Sequence, residues 1–213
     1  MAPLSILIAD DHAVVRAGLR TLLESRTLWQ VCAEAADGRD AVEKAAKHKP
    51  HIAILDIGMP LLNGVEATRQ IRKSSPSTEI LILTMHESDD LVQQVVEAGA
   101  RGYILKDEAD RVLLDAVQAL SQHKPFFSVR VSEAAVFADT SDSTKSSRSR
   151  LTPREREILQ LLAEGKSNKE VASLLNISVN TAEAHRANIM LKLDFHSLAE
   201  LVMYAVRNNI IQT

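Results

Sequence analysis

Cysteine is almost missing: Cys32 is the only one in 213 residues, which excludes an internal disulfide and any cysteine-based zinc cluster. Cys32 itself reads as a small buried apolar residue within Gln30 to Ala35. Aromatics make up 3% of the chain, with 7 glycines and 6 prolines, too little turn and aromatic signal for an antiparallel sandwich. No apolar run approaches the roughly 18 residues that span a bilayer. The early run Leu4 to Ala9 stops at Asp10 and Asp11 and follows no basic region, so no signal peptide is indicated. A cytoplasmic protein with no membrane partner is expected. The seven histidines are scattered, and His48 and His51 are separated by Pro50, so no histidine metal site is expected.

An excess of either charge is missing too. The net charge is −3, and it divides unevenly: residues 1–127 carry −4, residues 128–150 carry +1, and residues 151–213 are neutral. Charge therefore does not mark the C-terminal part as a nucleic-acid binder, and that case has to rest on pattern.

Five short runs rich in Ile, Leu and Val remain: Leu4 to Ala9, Gln30 to Ala35, Ile52 to Asp56, Glu79 to Thr84 and Gly102 to Lys106. Most lack period-two alternation, as strands buried on both faces do. Segments of helical spacing separate them, such as Val15, Leu19, Leu22 and Leu23. The alternation predicts an α/β doubly wound, flavodoxin-like sheet of five parallel strands. Residues 138–150 read ADTSDSTKSSRSR, a polar linker signal, and Ser132 to Phe137 is expected to form a short helix before it. Beyond Leu151 the pattern is wholly helical. Thr152 with Glu155, Ser167 with Glu170 and Ser197 with Glu200 have capping-box spacing, and Ser178 can start a further helix after Asn176-Ile177. An all-α domain of four helices is predicted.

In a doubly wound sheet the binding groups stand at the carboxyl ends of the strands. Here those ends carry Asp10 and Asp11, Asp56, Thr84 and Lys106. Converging carboxylates need a cation among them, and oxygen ligands favour Mg²⁺. Asp56 is then the candidate nucleophile for a phosphoryl group, with Lys106 and Thr84 as donors to its oxygens and the Gly58 carbonyl as a further metal ligand. His12 reads as a helix-start residue rather than a catalyst. Singly, each residue is also an ordinary cap, loop or surface position; together, at four strand ends, they describe one site.

Residues 1 to about 122 resemble a response-regulator receiver through IADDH at Asp10 and Asp11, LDIGMPLLNG around Asp56, LTMHE at Thr84, and GYILKD at Tyr103 and Lys106. The resemblance implies a sensor histidine kinase that phosphorylates Asp56 with Mg²⁺, after which Thr84 moves toward the phosphoryl group and Tyr103 rotates inward. Tyr103 also reads as a half-buried strand aromatic.

The segment Lys166 to Leu193 reads as helix, turn, helix, and a wheel puts Val179, Ala182, Ile189 and Leu193 on the inner side of the second helix. Its outer face shows Asn180, Ala184, Ala187, Asn188 and Leu191, which suits close approach to a groove and equally the solvated face of a plain bundle. Across about 151 to 211 the sequence, beginning LTPREREILQLLAEGKSNKEVASLLNIS, resembles the LuxR and NarL type of output domain. The resemblance implies base contacts by Glu183, Ala184 and Ala187, phosphate contacts by Lys169, Asn180, Arg186 and Lys192, and pairing of two copies through about Leu198 to Arg207 on a two-fold DNA site. Asn180 and Leu191 stand where Lys or Arg is common in the family, and Arg186 falls near the inner face. The implied division is a receiver domain at 1–124, a linker at 125–150 and a LuxR-type helix-turn-helix domain at 151–213.

The expectation is a two-component response regulator of the NarL/FixJ family, not an enzyme, whose phosphorylation at Asp56 promotes a homodimer and DNA binding to regulate transcription. Two alternatives stay open: helices that bind a protein instead of DNA, and a Mg²⁺-dependent phosphohydrolase.

Overall fold

The computed structural model describes residues 3–85, 88–128 and 151–211. The chain divides into two compact units, taken in turn. Residues 129–150, which hold most of the expected linker and the expected helix at Ser132 to Phe137, lie outside the described residues.

The first unit alternates strand and helix: β1 (Leu4–Ala9), α1 (Ala13–Glu24), β2 (Trp29–Ala35), α2 (Gly38–His48), β3 (Ile52–Asp56), α3 (Gly64–Ser74), β4 (Glu79–Thr84), α4 (Asp89–Ala98), β5 (Gly102–Leu105), α5 (Ala109–Ser121) and β6 (Phe126–Phe127). All pairings are parallel, in the order β2-β1-β3-β4-β5-β6. Every residue of β3, β4 and β5 is buried, which is why those runs show no alternation. The outer strand β2 has only Val31 and Ala35 buried. One face of the sheet packs Ile6, Ile8, Ile54, Leu83 and Ile104 against Leu19 and Leu23 of α1 and Leu113 and Val117 of α5. Successive strand residues point to opposite faces, so Leu7, Leu55, Ile82 and Tyr103 serve the other. Helices α2, α3 and α4 pack there in sequence, α2 on α3 and α3 on α4.

The doubly wound parallel sheet is thus present, with six strands where five were expected. The sixth, Phe126–Phe127, falls inside the stretch read as linker. After α5 the chain returns along the free edge of β5, where the Phe126 N–H donates to the Arg101 carbonyl at 2.9 Å and the Ser128 N–H to the Tyr103 carbonyl at 3.1 Å. Two residues satisfy edge groups that would otherwise be exposed, but they are too few to carry a period. Three smaller corrections follow. Trp29 extends β2, and Lys106 opens a 3₁₀ turn at Lys106–Glu108 instead of ending β5. Cys32 is half-buried, because the β1–β2 register skips it between Val31 and Ala33.

The second unit contains α6 (Pro153–Ala163), α7 (Asn168–Leu175), α8 (Val179–Leu193) and α9 (Leu198–Arg207). All three expected capping boxes form, at Thr152/Glu155, Ser167/Glu170 and Ser197/Glu200. The Ser178 side chain accepts from the Thr181 N–H to start α8. Each such cap satisfies an otherwise orphaned donor and is worth about 1 kcal/mol. Asn176 ends α7 in the left-handed region, with φ 52°, a conformation Asn tolerates better than most residues. The core gathers Ile158, Leu161, Val171, Leu175, Ala182, Ile189, Leu201 and Ala205, with Val179 and Leu193 packed at its margin, so the wheel placed the inner face of α8 correctly.

Candidate functional site

The parallel sheet brings the expected acidic residues to one edge. Asp10 follows β1 directly, Asp56 ends β3 and Thr84 ends β4, and the β3–β4 register pairs Asp56 with Leu83, one residue short of Thr84. Lys106 follows β5 and reaches across: its Nζ lies 2.7 Å from Asp10 Oδ2 and 3.1 Å from Asp56 Oδ2. Asp10 is 0% exposed and Asp56 1%. One ammonium therefore bridges two buried carboxylates and leaves an excess of negative charge. Burial pushes the Asp56 carboxyl above its ordinary pKa, the Asp10 charge adds to this, and Lys106 pulls the other way without cancelling it. Burial also tends to strip the proton from Lys106, but Asp10 and Asp56 outweigh it and hold the ammonium above its ordinary value.

Backbone geometry fixes these groups. The Arg16 guanidinium donates to the Asp10 carbonyl at 2.7 Å, and the His12 N–H donates to Asp10 Oδ1 at 2.9 Å. His12 stands at the start of α1 as expected, with Nδ1 2.7 Å from Asp11 Oδ1. After β3 the chain turns through Gly58 and Met59 and comes back so closely that the Gly64 N–H donates to the Ile57 carbonyl at 2.9 Å. A Cβ on Gly64 would lie 2.2 Å from the Asp56 carbonyl oxygen. Only glycine fits there, so Gly64 is a positioning residue for Asp56. The sequence reading quoted it within LDIGMPLLNG without giving it that role.

The donor set fits a hard divalent cation. Asp10, Asp11 and His12 place ligand atoms within 4.8 Å of one another. Asp56 Oδ1 is buried with no hydrogen-bond partner among the described residues, an arrangement that costs several kcal/mol for a charged group left uncompensated. Carboxylate oxygens of this kind are the ligands Mg²⁺ prefers. Gly58, the proposed carbonyl ligand, is half-buried in the adjoining turn. Thr84 is fully buried, and so is Tyr103, at 0% exposed, which departs from the alternative reading of it as a half-buried strand aromatic.

In the second unit α8 packs against α7. Asn180, Glu183, Ala184, Ala187, Asn188 and Leu191 are exposed, as is Lys169 on α7. Two of the residues expected to contact phosphate are less available. Arg186 is half-buried, and the Lys192 ammonium is 2.9 Å from Glu155 Oε2. That carboxylate lies below its ordinary pKa: burial opposes the shift, but Lys192 and the Thr152 N–H prevail. Arg154, which the sequence reading passed over, joins the helices by donating to the Leu175 carbonyl at 3.1 Å and to Glu157 at 2.6 Å. It places a cation at the C-terminus of α7, where the helix dipole favours one.

Comparison with known proteins agrees with both halves. Residues 6–118 match the response regulator receiver domain, and residues 149–205 match the bacterial regulatory proteins of the luxR family. Oxygen regulatory protein NreC of Staphylococcus epidermidis is 40% identical over 217 residues, covering 98% of this chain and 100% of that protein. The Staphylococcus haemolyticus protein of that name is 40% identical over 215 residues, with 98% and 99% covered. The RcsB response regulator of Salmonella typhimurium superposes with a TM-score of 0.65 at 29% identity, covering 96% of this chain and 97% of that one. RcsB bound to promoter rprA in the presence of phosphomimetic BeF3⁻ gives a TM-score of 0.63 at 28% identity, with 95% and 98% covered.

Proposed function

This chain belongs to the response regulators that join a receiver domain to a LuxR-type DNA-binding domain, and from that premise we propose that Asp56 accepts a phosphoryl group from a sensor histidine kinase and thereby controls DNA binding by α8. The observation that carries the reading is the Asp56 carboxylate: buried, short of one hydrogen-bond partner on Oδ1, and facing the Lys106 ammonium through Oδ2.

The chemistry follows from those atoms. A carboxylate oxygen of Asp56 attacks phosphorus, the bond from phosphorus to the donor breaks, and an acyl phosphate forms. Lys106 offsets charge on the transferring oxygens, and Thr84 offers a hydroxyl to them. Asp10, Asp11 and Asp56, with the Gly58 carbonyl, would hold Mg²⁺, which supplies positive charge to the same oxygens when bound. Thr84 and Tyr103 carry the change away from the pocket. The receiver catalyses only its own phosphorylation and the slow hydrolysis that returns Asp56 to a carboxylate, so the protein is a regulator and not an enzyme.

Two surfaces support the partners. In the receiver an apolar groove of about 360 Å³, lined by Val15, Leu19, Leu22 and Met85, runs up to Lys106 and gives a helix of the kinase a seat beside the pocket. In the second unit a depression of about 350 Å³, lined by Phe195, Ala199, Met203 and Tyr204 on and beside α9, is suited to a second copy. Two copies would place two α8 helices on a two-fold promoter site. Lys169 and Asn180 are the available phosphate contacts, with a lesser part for Arg186 and Lys192, while Glu183, Ala184 and Ala187 face the bases. Among the described residues no helix is long and apolar enough to cross a membrane, and the reading assigns the protein to the cytoplasm with its DNA.

Intact-mass measurement after incubation with acetyl phosphate and Mg²⁺ tests the reading. One added phosphoryl group, lost in Asp56→Asn, is the expected result. Absence of any label on the parent protein, or a label that survives Asp56→Asn, would contradict it.

A further inference from the structure

The outer face of α8 is short of cations. Arginine and lysine are the usual readers of guanine, through its O6 and N7 acceptors. The two such residues in α8 are poorly placed for this, since Arg186 is half-buried and Lys192 is paired with Glu155. What stands outward is apolar or acceptor-rich. Ala184 and Ala187 are exposed, and Leu191 is 83% exposed. At about 100° per residue these three fall within an arc of about 60°, with Leu191 between the two alanines on the wheel. At about 1.5 Å per residue they extend about 10 Å along the axis.

We propose that α8 reads thymine methyl groups, with Ala184, Ala187 and Leu191 as the contact stripe and Leu191 as the specificity-determining residue for the thymine furthest along the helix. The inference rests on the reading that α8 enters the major groove. Alanine side chains let the helix approach closely, and the C5 methyl of thymine is the apolar group that base edges present there. The neighbouring Glu183 agrees, since it offers only acceptors, which suit the cytosine amino group. A lone exposed leucine is ordinary on a protein surface. One at the centre of a small-residue stripe on the groove-facing helix has an apolar partner waiting in DNA.

The test begins with the full-length protein carrying beryllofluoride, which selects duplexes from a random library. The best-bound duplex is then remade with uracil replacing each half-site thymine in turn, which deletes the methyl and keeps the base pair. Binding is expected to weaken about four-fold at each contacted thymine, the worth of one buried methyl. Leu191→Ala, a change at an exposed position, is expected to abolish the uracil effect at one thymine and keep it at the others. A motif anchored on guanine, equal binding of thymine and uracil duplexes, or an unchanged uracil profile in Leu191→Ala would overturn the proposal while leaving DNA binding in place. Absence of any selected motif would overturn the groove reading beneath it as well.

Discussion

At the edge of the receiver sheet, Asp10 and Asp56 are withdrawn from water and compensated by a single ammonium, whereas on α8 the residues expected to meet the bases, Glu183, Ala184 and Ala187, stand in solvent with Glu183 the one charge among them. The first site stores electrostatic imbalance. Its groups are forced together by β1, β3 and β5, at a cost in stability that a bound cation relieves. The second stores nothing and relies on shape and on two copies. Chemistry that makes and breaks a bond needs preorganised charge; discrimination between sequences needs a surface that fits one arrangement of groups better than another. The contrast ties each region to a different kind of failure when it is altered.

The largest expected effect comes from the receiver. Asp56→Asn should abolish phosphoryl labelling altogether, read by intact mass, and residual labelling at the wild-type rate would end the contrast at its first term. Next is Gly64→Ala. Because a Cβ there meets the Asp56 carbonyl oxygen at 2.2 Å, the turn must move, and thermal unfolding should show a loss of about 3 kcal/mol, near the top of the overpacking range. A variant as stable as the parent would mean that the turn yields freely and does not position Asp56.

The helical unit should break more gently. Ser178→Ala removes the hydroxyl that accepts from the Thr181 N–H at the start of α8, and about 1 kcal/mol should be lost on chemical denaturation. The smallest effect is expected at Lys192. With its ammonium on Glu155 at 2.9 Å, Lys192→Met should cost no more than about 1 kcal/mol. It should also leave the salt dependence of nonspecific DNA binding nearly unchanged, where a true phosphate contact would reduce the slope by about one.

Acidity sharpens the contrast from another side. The folded Asp56 carboxyl sits above its ordinary range, so folding disfavours its ionised form. That penalty is absent below the unfolded value of about 3.9 and reaches its full size once pH has risen past the folded value. Asp56→Asn should therefore melt a few degrees higher than the parent at neutral pH in metal-free buffer, with the gap closing in acid. A gap that widens in acid would reverse the sign of the argument.

Much of this was legible in the chain. Leu4–Ala9, Ile52–Asp56 and Glu79–Thr84 form strands with the ends their apolar runs implied, because a strand buried on both faces leaves an unbroken run bounded by polar residues. The capping boxes were legible because their partners lie three residues apart. What escaped depends on distant partners or on too few residues. Phe126–Phe127 forms a strand only because β5 offers a free edge. The pairing of Lys192 with Glu155, 37 residues earlier, is invisible until the helices pack. The role of Gly64 is invisible until the chain folds back on Asp56. Cys32 reads as core because its run is apolar, and a skipped register beside Val31 turns it half outward.

The central claim is that the buried pocket governs the exposed helix. Selection of sequences from random duplex DNA by the full-length protein, with and without beryllofluoride at Asp56, tests that coupling most directly. The account predicts a two-fold motif enriched mainly in the presence of beryllofluoride and lost in Asp56→Asn. Equal enrichment in both states, or enrichment in neither, would contradict it.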